Sequence, residues 1–189
     1  MELAKSAPDR LELVRAFINS VDIEENRESL ATPDELVTWL REHGLLRGEV
    51  RSASDEDLET AIGLREAFRE LALANNGESP GPIATVSELE RCCDELHVRL
   101  RARLGGKPAL SLEPDESGVR GALGRLLVIA FEAMLDGSWY RLKACAEKAC
   151  RWAFYDQSRN RSAHWCSMRV CGNRNKVRRF RQREPIASA

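Results

Sequence analysis

The chain has 189 residues, of which 43% are hydrophobic and 31% are charged, and its formal net charge is −1 at pH 7. This composition is typical of a folded chain with an apolar core and excludes an intrinsically disordered protein. No run of about 18 apolar residues occurs, and the first residues, Met1 to Lys5, lack the basic and apolar parts of a secretory signal. The sequence therefore argues against membrane insertion and secretion, and it predicts a cytoplasmic protein without a membrane partner.

Residues 1–140 show helical spacing of apolar residues along most of their length, which predicts a helical domain. The clearest helix start is Thr32-Pro33, because a capping hydroxyl precedes a proline at the first helical position and Glu35 follows at the third. Leu110 and Leu112 are compatible with one short strand. The helices are predicted over residues 9–21, 32–44, 54–75, 85–104 and 119–135. The fold class is mainly α.

The helical domain contains no recognisable catalytic constellation. His43 lies at a predicted helix end and His97 on a charged helical surface, and both positions favour a structural role over metal binding. Cys92 and Cys93 are interpreted as buried thiols on the fourth helix, with a vicinal redox pair as the alternative. Because no nucleophile and base are paired, the sequence predicts a protein that is not an enzyme.

The charges are distributed unevenly along the chain. Residues 141–189 hold 13 Lys and Arg against 3 Asp and Glu, whereas residues 1–140 hold 16 against 27. The C-terminal part is therefore strongly basic at +10 and the rest acidic at −11, which indicates contact of the basic part with a polyanion. The opposite charges also predict that the acidic part docks on the basic part and competes with a nucleic acid, unless the acidity serves only solubility.

Four of the six cysteines form two pairs in the basic part. Cys145 and Cys150 are separated by four residues, as are Cys166 and Cys171, and fifteen residues separate the pairs. Two turns at this distance offer four thiolates to one tetrahedral ion, and Zn²⁺ fits best. A charge-rich segment of this length also needs a metal to fold, and a site filled by four cysteines leaves no position for substrate. The sequence thus predicts one structural zinc per chain.

Other interpretations of these cysteines remain open from the sequence alone. Two disulfides are disfavoured by a reducing compartment, and four unrelated core thiols are disfavoured by the paired spacing. Iron is an alternative metal. His164 lies close enough to Cys166 for a site of three cysteines and one histidine.

The basic part contains motifs that together resemble the CGNR zinc finger family. They are Arg151-Trp152-Ala153-Phe154-Tyr155-Asp156, Ser158-Arg159-Asn160, Trp165-Cys166-Ser167-Met168 and Cys171-Gly172-Asn173-Arg174-Asn175-Lys176. In that family the finger follows a helical ABATE domain of stress-induced transcription regulators. Weaker motifs resemble that domain: Asn19-Ser20-Val21-Asp22, Ala31-Thr32-Pro33 through Trp39-Leu40, Leu64-Arg65-Glu66-Ala67 and Asn75-Asn76-Gly77.

The resemblance implies an ABATE-like domain at 1–140 and a CGNR-type module at 141–189, with Cys145, Cys150, Cys166 and Cys171 as zinc ligands. One departure is Ser162-Ala163-His164, where family members usually carry two arginines before Trp165-Cys166. If those arginines contact nucleic acid in the family, this chain binds it more weakly.

The segment after Cys171 is compatible with a basic helix. Val177 and Phe180 are three residues apart and are predicted to pack on the zinc core, in a treble-clef-like or zinc-ribbon-like module. The cations that would contact nucleic acid are Arg174, Lys176, Arg178, Arg179, Arg181 and Arg183. The aromatic residues of the module are interpreted as its core, with stacking on bases as the alternative.

These observations favour a DNA-binding transcription regulator whose helical domain senses a small molecule, a protein or a stress state. The alternative is an adaptor that binds RNA or an acidic protein through the basic module.

Overall fold

The computed structural model describes residues 6–46, 50, 52–77, 83–103 and 109–183. The helices in these ranges are α1 (Leu11–Ile18), α2 (Pro33–Glu42), α3 (Asp55–Ala74), α4 (Ile83–Glu95), α5 (Gly118–Asp136) and α6 (Asn173–Arg183). The strands are β1 (Val21–Asp22), β2 (Arg27–Glu28), β3 (Val98–Arg103), β4 (Ala109–Pro114), β5 (Leu142–Ala144) and β6 (Ala153–Tyr155). They form three separate antiparallel pairs, β1–β2, β3–β4 and β5–β6. The predicted mainly α class is confirmed.

The helix starts follow the capping signals in the sequence. The hydroxyl of Thr32 accepts a hydrogen bond from the backbone N–H of Glu35, and Pro33 is the first residue of α2. Ser54 and Asp57 form a reciprocal capping box at the start of α3, with bonds of 3.1 and 3.0 Å. Such caps each contribute about 1 kcal/mol, because they satisfy N–H groups that the helix itself leaves unpaired.

The prediction of one helix over residues 85–104 is wrong in its second half. Helix α4 ends at Glu95, His97 takes a left-handed backbone with φ +43°, and β3 pairs with β4. Apolar residues four apart up to Leu104 suggested a helix, but Val98, Leu100 and Ala102 also alternate at strand spacing. The pairing with β4 decides in favour of the strand. The helix also begins at Ile83, two residues before the predicted start at residue 85.

The hydrophobic core lies where α1, α2, α3 and α5 meet. Large side chains with less than 2% exposure form it, among them Phe17, Leu36, Leu64, Phe68, Leu123 and Leu126. Burying one such side chain contributes about 1.5–3 kcal/mol. The same core extends past the helices to Leu142 and Ala153, in β5 and β6.

Polar side chains of the helical part fasten it to the residues around β5 and β6. The Asn19 amide accepts a hydrogen bond from the Ala153 N–H at 2.7 Å and donates one to the Ala153 carbonyl at 2.9 Å. The Arg69 guanidinium donates to the carbonyls of Ile18 and Arg151. The two parts of the chain therefore contact each other through defined hydrogen bonds.

No helix among the described residues combines the length and apolar character needed to cross a lipid bilayer.

Candidate metal centre and basic helix

The first cysteine pair lies on the turn that connects β5 to β6. Cys145 follows β5 directly, and its N–H donates to the Trp152 carbonyl at 3.0 Å. The N–H of Cys150 donates to the Glu147 carbonyl at 2.9 Å, and Arg151 has a left-handed backbone with φ +52°. This tight turn directs both thiols toward the same side.

The second pair lies on a wide helical turn that leads directly into α6. The turn spans Met168–Gly172 and places Cys171 two residues before the start of α6. A Cβ atom at Gly172 would lie 2.8 Å from the Met168 sulfur, so this turn requires a glycine or a displaced methionine. A hairpin with a thiol turn is therefore followed by a second thiol turn and a helix, which fits the small zinc module expected from the sequence.

The four thiols meet at one point, with their sulfur atoms all within 4.8 Å of one another. The Sγ atoms of Cys150 and Cys166 are 3.7 Å apart, and those of Cys166 and Cys171 are 3.8 Å apart. Four sulfurs at about 2.3 Å from a tetrahedral Zn²⁺ are about 3.8 Å from each other. The spacing fits a metal site and exceeds by far the sulfur–sulfur bond of a disulfide.

The four clustered thiols affect one another's ionisation. Hydrogen bonds from Cys150 and Cys166 lower the pKa of the Cys145 thiol. The contact with Cys145 raises the pKa values of Cys150 and Cys166, and burial raises the pKa of Cys171 to about 12. One thiolate thus opposes the formation of the next, and a divalent ion supplies the charge that allows all four to ionise.

A buried ion pair stabilises the loop between the two cysteine pairs. Lys143, in β5, donates to the Asp156 carboxylate at 2.9 Å and to the carbonyls of Arg161 and Ala163. Burial raises the pKa of Asp156, but hydrogen bonds from Ser158, Lys143 and Ala163 outweigh that effect and keep it well below its usual range. Sequence analysis missed this pair, although Asp156 ends one of the motifs quoted above.

The aromatic residues of the module are mainly packing residues, as interpreted from the sequence. Trp152 and Trp165 pack against the cysteine cluster, and Phe154 is buried. Tyr155 packs against the core of the helical part. The cluster of potential metal ligands found among the described residues consists of four cysteines and does not include His164. The carbonyl of His164 accepts hydrogen bonds from Ala146 and Asn76.

The predicted nucleic-acid contacts lie on α6, where some of these cations form ion pairs with carboxylates of the described residues and others do not. Lys176, Arg179 and Arg181 are exposed, and within the described part of the chain no ion pair involves them. Arg174 pairs with Glu24 at 2.6 Å, and Arg178 donates to both carboxylate oxygens of Glu147 at 2.9 and 3.0 Å. The side chain of Arg183 lies outside the described residues.

The prediction that Val177 and Phe180 pack on the zinc core is wrong. Val177 is 49% exposed and Phe180 is 65% exposed. Among the described residues, the aromatic side chains that pack against the sulfur cluster are Trp152 and Trp165. The helix therefore presents cations and apolar side chains together to solvent.

The two remaining cysteines differ from each other. Cys92 is buried, as predicted, but Cys93 is exposed and the prediction of a core thiol is wrong there. Cys93 lines an apolar cavity of about 300 Å³ between α3, α4, α5 and the β3–β4 hairpin. Its walls include Phe68, Leu89, Leu112, Phe131 and Met134.

Comparison with known protein families agrees with both parts of this architecture. Residues 141–184 match the family model described as "CGNR zinc finger", and residues 11–149 match the ABATE model, described as "Putative stress-induced transcription regulator". No curated protein matches the chain significantly. The sulfur geometry and the first match agree on one structural zinc ion as the cofactor. The chain belongs to the ABATE family and carries a CGNR zinc finger in its C-terminal part.

Proposed function

We propose that the protein is a DNA-binding transcription regulator in which a zinc-stabilised module, from about residue 141, presents a basic helix to the DNA backbone. The zinc ligands in this proposal are Cys145, Cys150, Cys166 and Cys171. Four cysteine ligands fill the coordination sphere, so the ion serves structure and leaves no open position for hydrolysis. A regulator of this kind acts in the cytoplasm, where its thiols stay reduced.

The observation that carries the proposal is the set of exposed cations on a helix that starts at the metal site. Lys176, Arg179 and Arg181 are free of ion pairs within the described residues, and their helix is fixed by Cys171 two residues before its start. Cations on a rigid support give phosphate affinity without sequence reading, because base recognition needs a side chain placed in a groove. The proposed contact of α6 is therefore with the phosphates of the DNA backbone.

The apolar cavity beside Cys93 supports a sensing role for the helical part. Its volume of about 300 Å³ lies at the lower end of the range of small-molecule sites. Phe68 lines the cavity and also contacts Trp139, with ring centroids 5.9 Å apart, just before β5 leads to the first cysteine. A ligand that moves Phe68 would thus act on a residue packed close to the module.

A second candidate function is an adaptor that binds an acidic protein or RNA. The exposed side chains of Val177 and Phe180, between the cations of α6, favour it, since apolar groups at a surface mark protein contacts. The two functions predict different relative affinities for duplex DNA, single-stranded RNA and an acidic protein.

A salt titration tests the DNA contact. Three free cations on phosphates predict a slope of log K against log salt of about −3 for duplex DNA, and all six predicted cations would give about −5. The double variant Arg179→Gln with Arg181→Gln should reduce the slope by about two. The control, Arg10→Gln with Arg99→Gln, removes the same charge from exposed sites of the helical part and should leave the slope nearly unchanged.

The outcome decides between the two candidates. Binding to duplex DNA with the slope carried by α6 supports the regulator. Tighter binding to single-stranded RNA or to an acidic protein than to duplex DNA supports the adaptor. A slope unaffected by the α6 variant would contradict the assignment of this helix as the nucleic-acid surface.

A further inference from the structure

An acidic residue of the helical part forms an ion pair with a cation of the basic helix α6. The Glu24 carboxylate forms an ion pair with the Arg174 guanidinium at 2.6 Å, and the two side chains are 35% and 46% exposed. Glu24 belongs to the loop between β1 and β2, whereas Arg174 is the second residue of α6. The pair therefore joins two regions that are 150 residues apart in sequence.

The β1–β2 hairpin is held in place on both sides of Glu24. Before β1, the Asn19 amide forms its two hydrogen bonds with Ala153 of β6. At the end of β2, the Glu28 carboxylate accepts a hydrogen bond from the buried Arg65 guanidinium at 2.7 Å. Because both ends of the hairpin are anchored, Glu24 reaches Arg174 from a fixed support and pays little conformational entropy for the contact.

Arg174 is part of the surface that the proposed function assigns to nucleic acid. It lines a shallow groove of about 730 Å³ along α6, together with Arg169, Asn173, Arg178 and Arg181. A phosphate that approaches Arg174 would be repelled by the Glu24 carboxylate, which lies 2.6 Å from the guanidinium, and would find Arg174 already paired. Binding there requires that the Glu24–Arg174 contact open or be compensated.

We propose that Glu24 is an internal competitor of nucleic-acid phosphates for Arg174, so that the β1–β2 hairpin holds the basic helix in a state of reduced affinity. An effector that moves the hairpin away from α6 would raise the affinity by releasing the arginine. This inference rests on the proposed function and adds the residue through which the helical part would regulate the module. It also locates the competition that the opposite charges of the two regions predict.

The test compares two charge-equivalent variants of the full zinc-loaded chain. Glu24→Gln removes the competitor. Glu25→Gln removes the same charge from the next residue, which is exposed and has no ion pair within the described part of the chain. The readout is binding of a fluorescent duplex DNA of mixed sequence at low salt, measured by anisotropy. Since exposed pairs are weak, Glu24→Gln should bind about two- to fivefold more tightly than wild type, and Glu25→Gln should differ from it by much less.

A second comparison separates the ion pair from a general charge effect. In an Arg174→Gln background the competitor has no target, so adding Glu24→Gln should change affinity no more than adding Glu25→Gln. Equal effects of the two glutamate variants, in chains that do bind DNA, would overturn the inference and leave the proposed function standing. Absence of binding by wild type and by every variant would overturn both, whereas binding by Glu24→Gln alone would support the competitor.

Discussion

The helical part and the zinc module have different kinds of side chains in their interiors. The helical part has leucine, isoleucine and phenylalanine at its centre, with side chains such as Phe17, Leu64 and Leu123 fully buried. The buried side chains of the module include three of the four cysteines, together with the charged residues Lys143, Glu147 and Asp156. An apolar core stabilises the first region and extends to Leu142 and Ala153 of the second. A metal site and a polar network are added in the second region.

The difference explains how much of each region the sequence reveals. An apolar core appears as periodic spacing, which sequence analysis detects, whereas a polar network connects residues with no periodic relation. It also explains which perturbations should separate the regions. Removal of the metal or of one buried charge should affect the module first, because the sulfur cluster and the loop between the cysteine pairs depend on that metal and on that charge.

The largest expected effect is that of zinc removal. Chelation should unfold the module and leave most helical structure intact, because structural zinc supplies about 10–16 kcal/mol in small modules. Metal analysis should give one zinc per chain before chelation. Trp152 and Trp165 pack on the cluster, so their fluorescence should change on chelation while far-ultraviolet circular dichroism stays largely the same. A metal-free chain with native tryptophan fluorescence would contradict the prediction.

Single cysteine variants sharpen the same contrast. Cys166→Ser removes one of the four clustered thiols and should abolish zinc retention, whereas Cys93→Ser changes an exposed thiol and should retain one zinc per chain. The measurement is zinc content after gel filtration, with circular dichroism as the control for folding. Equal zinc loss in the two variants would show that the ligand set is wrong.

A smaller effect is expected from the buried ion pair. Asp156→Asn leaves the Lys143 ammonium buried beside a neutral partner and should cost about 3–5 kcal/mol of module stability. Glu132→Gln breaks the exposed pair with Arg10 and should cost about 1 kcal/mol or less. Chemical denaturation followed by tryptophan fluorescence measures both. Similar losses in the two variants would mean that the buried pair contributes no more than a surface contact.

The sequence predicted the helices that carry strong end signals. Thr32-Pro33 and Ser54 mark starts that the structure confirms, because their capping groups act within one turn and need no distant partner. The clustered thiols followed from spacing for the same reason, since two short turns bring four sulfurs together. The predicted single zinc is likewise confirmed by the geometry and the CGNR match.

The failures involve residues whose structure depends on distant partners. Strand β3 exists because β4 pairs with it, and the helical spacing of Leu96, Leu100 and Leu104 suggested a helix instead. Val177 and Phe180 have a helical pattern that suggested packing, but Trp152 and Trp165 already cover the sulfur cluster. The assignment of α6 cations to nucleic acid stays a prediction.

The smallest expected effect concerns the apolar cavity of the helical part. The cavity is lined by apolar side chains, so an uncharged aromatic probe such as N-phenyl-1-naphthylamine should bind there with a rise in fluorescence. The exposed Cys93 thiol on its wall provides a local readout, because Cys92 is buried and the other four cysteines are the proposed zinc ligands.

The bound probe should slow the reaction of Cys93 with a thiol reagent, and the rate should fall in proportion to the fraction of cavities left empty. In the Cys93→Ser variant this fast reaction should be absent. Filling the cavity with Ala130→Phe should lower probe binding without loss of zinc, because Ala130 lines the cavity from α5, whereas the clustered thiols lie on the turn after β5 and in the segment that leads into α6. Probe fluorescence that persists in Ala130→Phe, with no protection of Cys93, would place probe binding elsewhere. Protection together with a change in DNA affinity would connect the cavity to the module through Phe68 and Trp139.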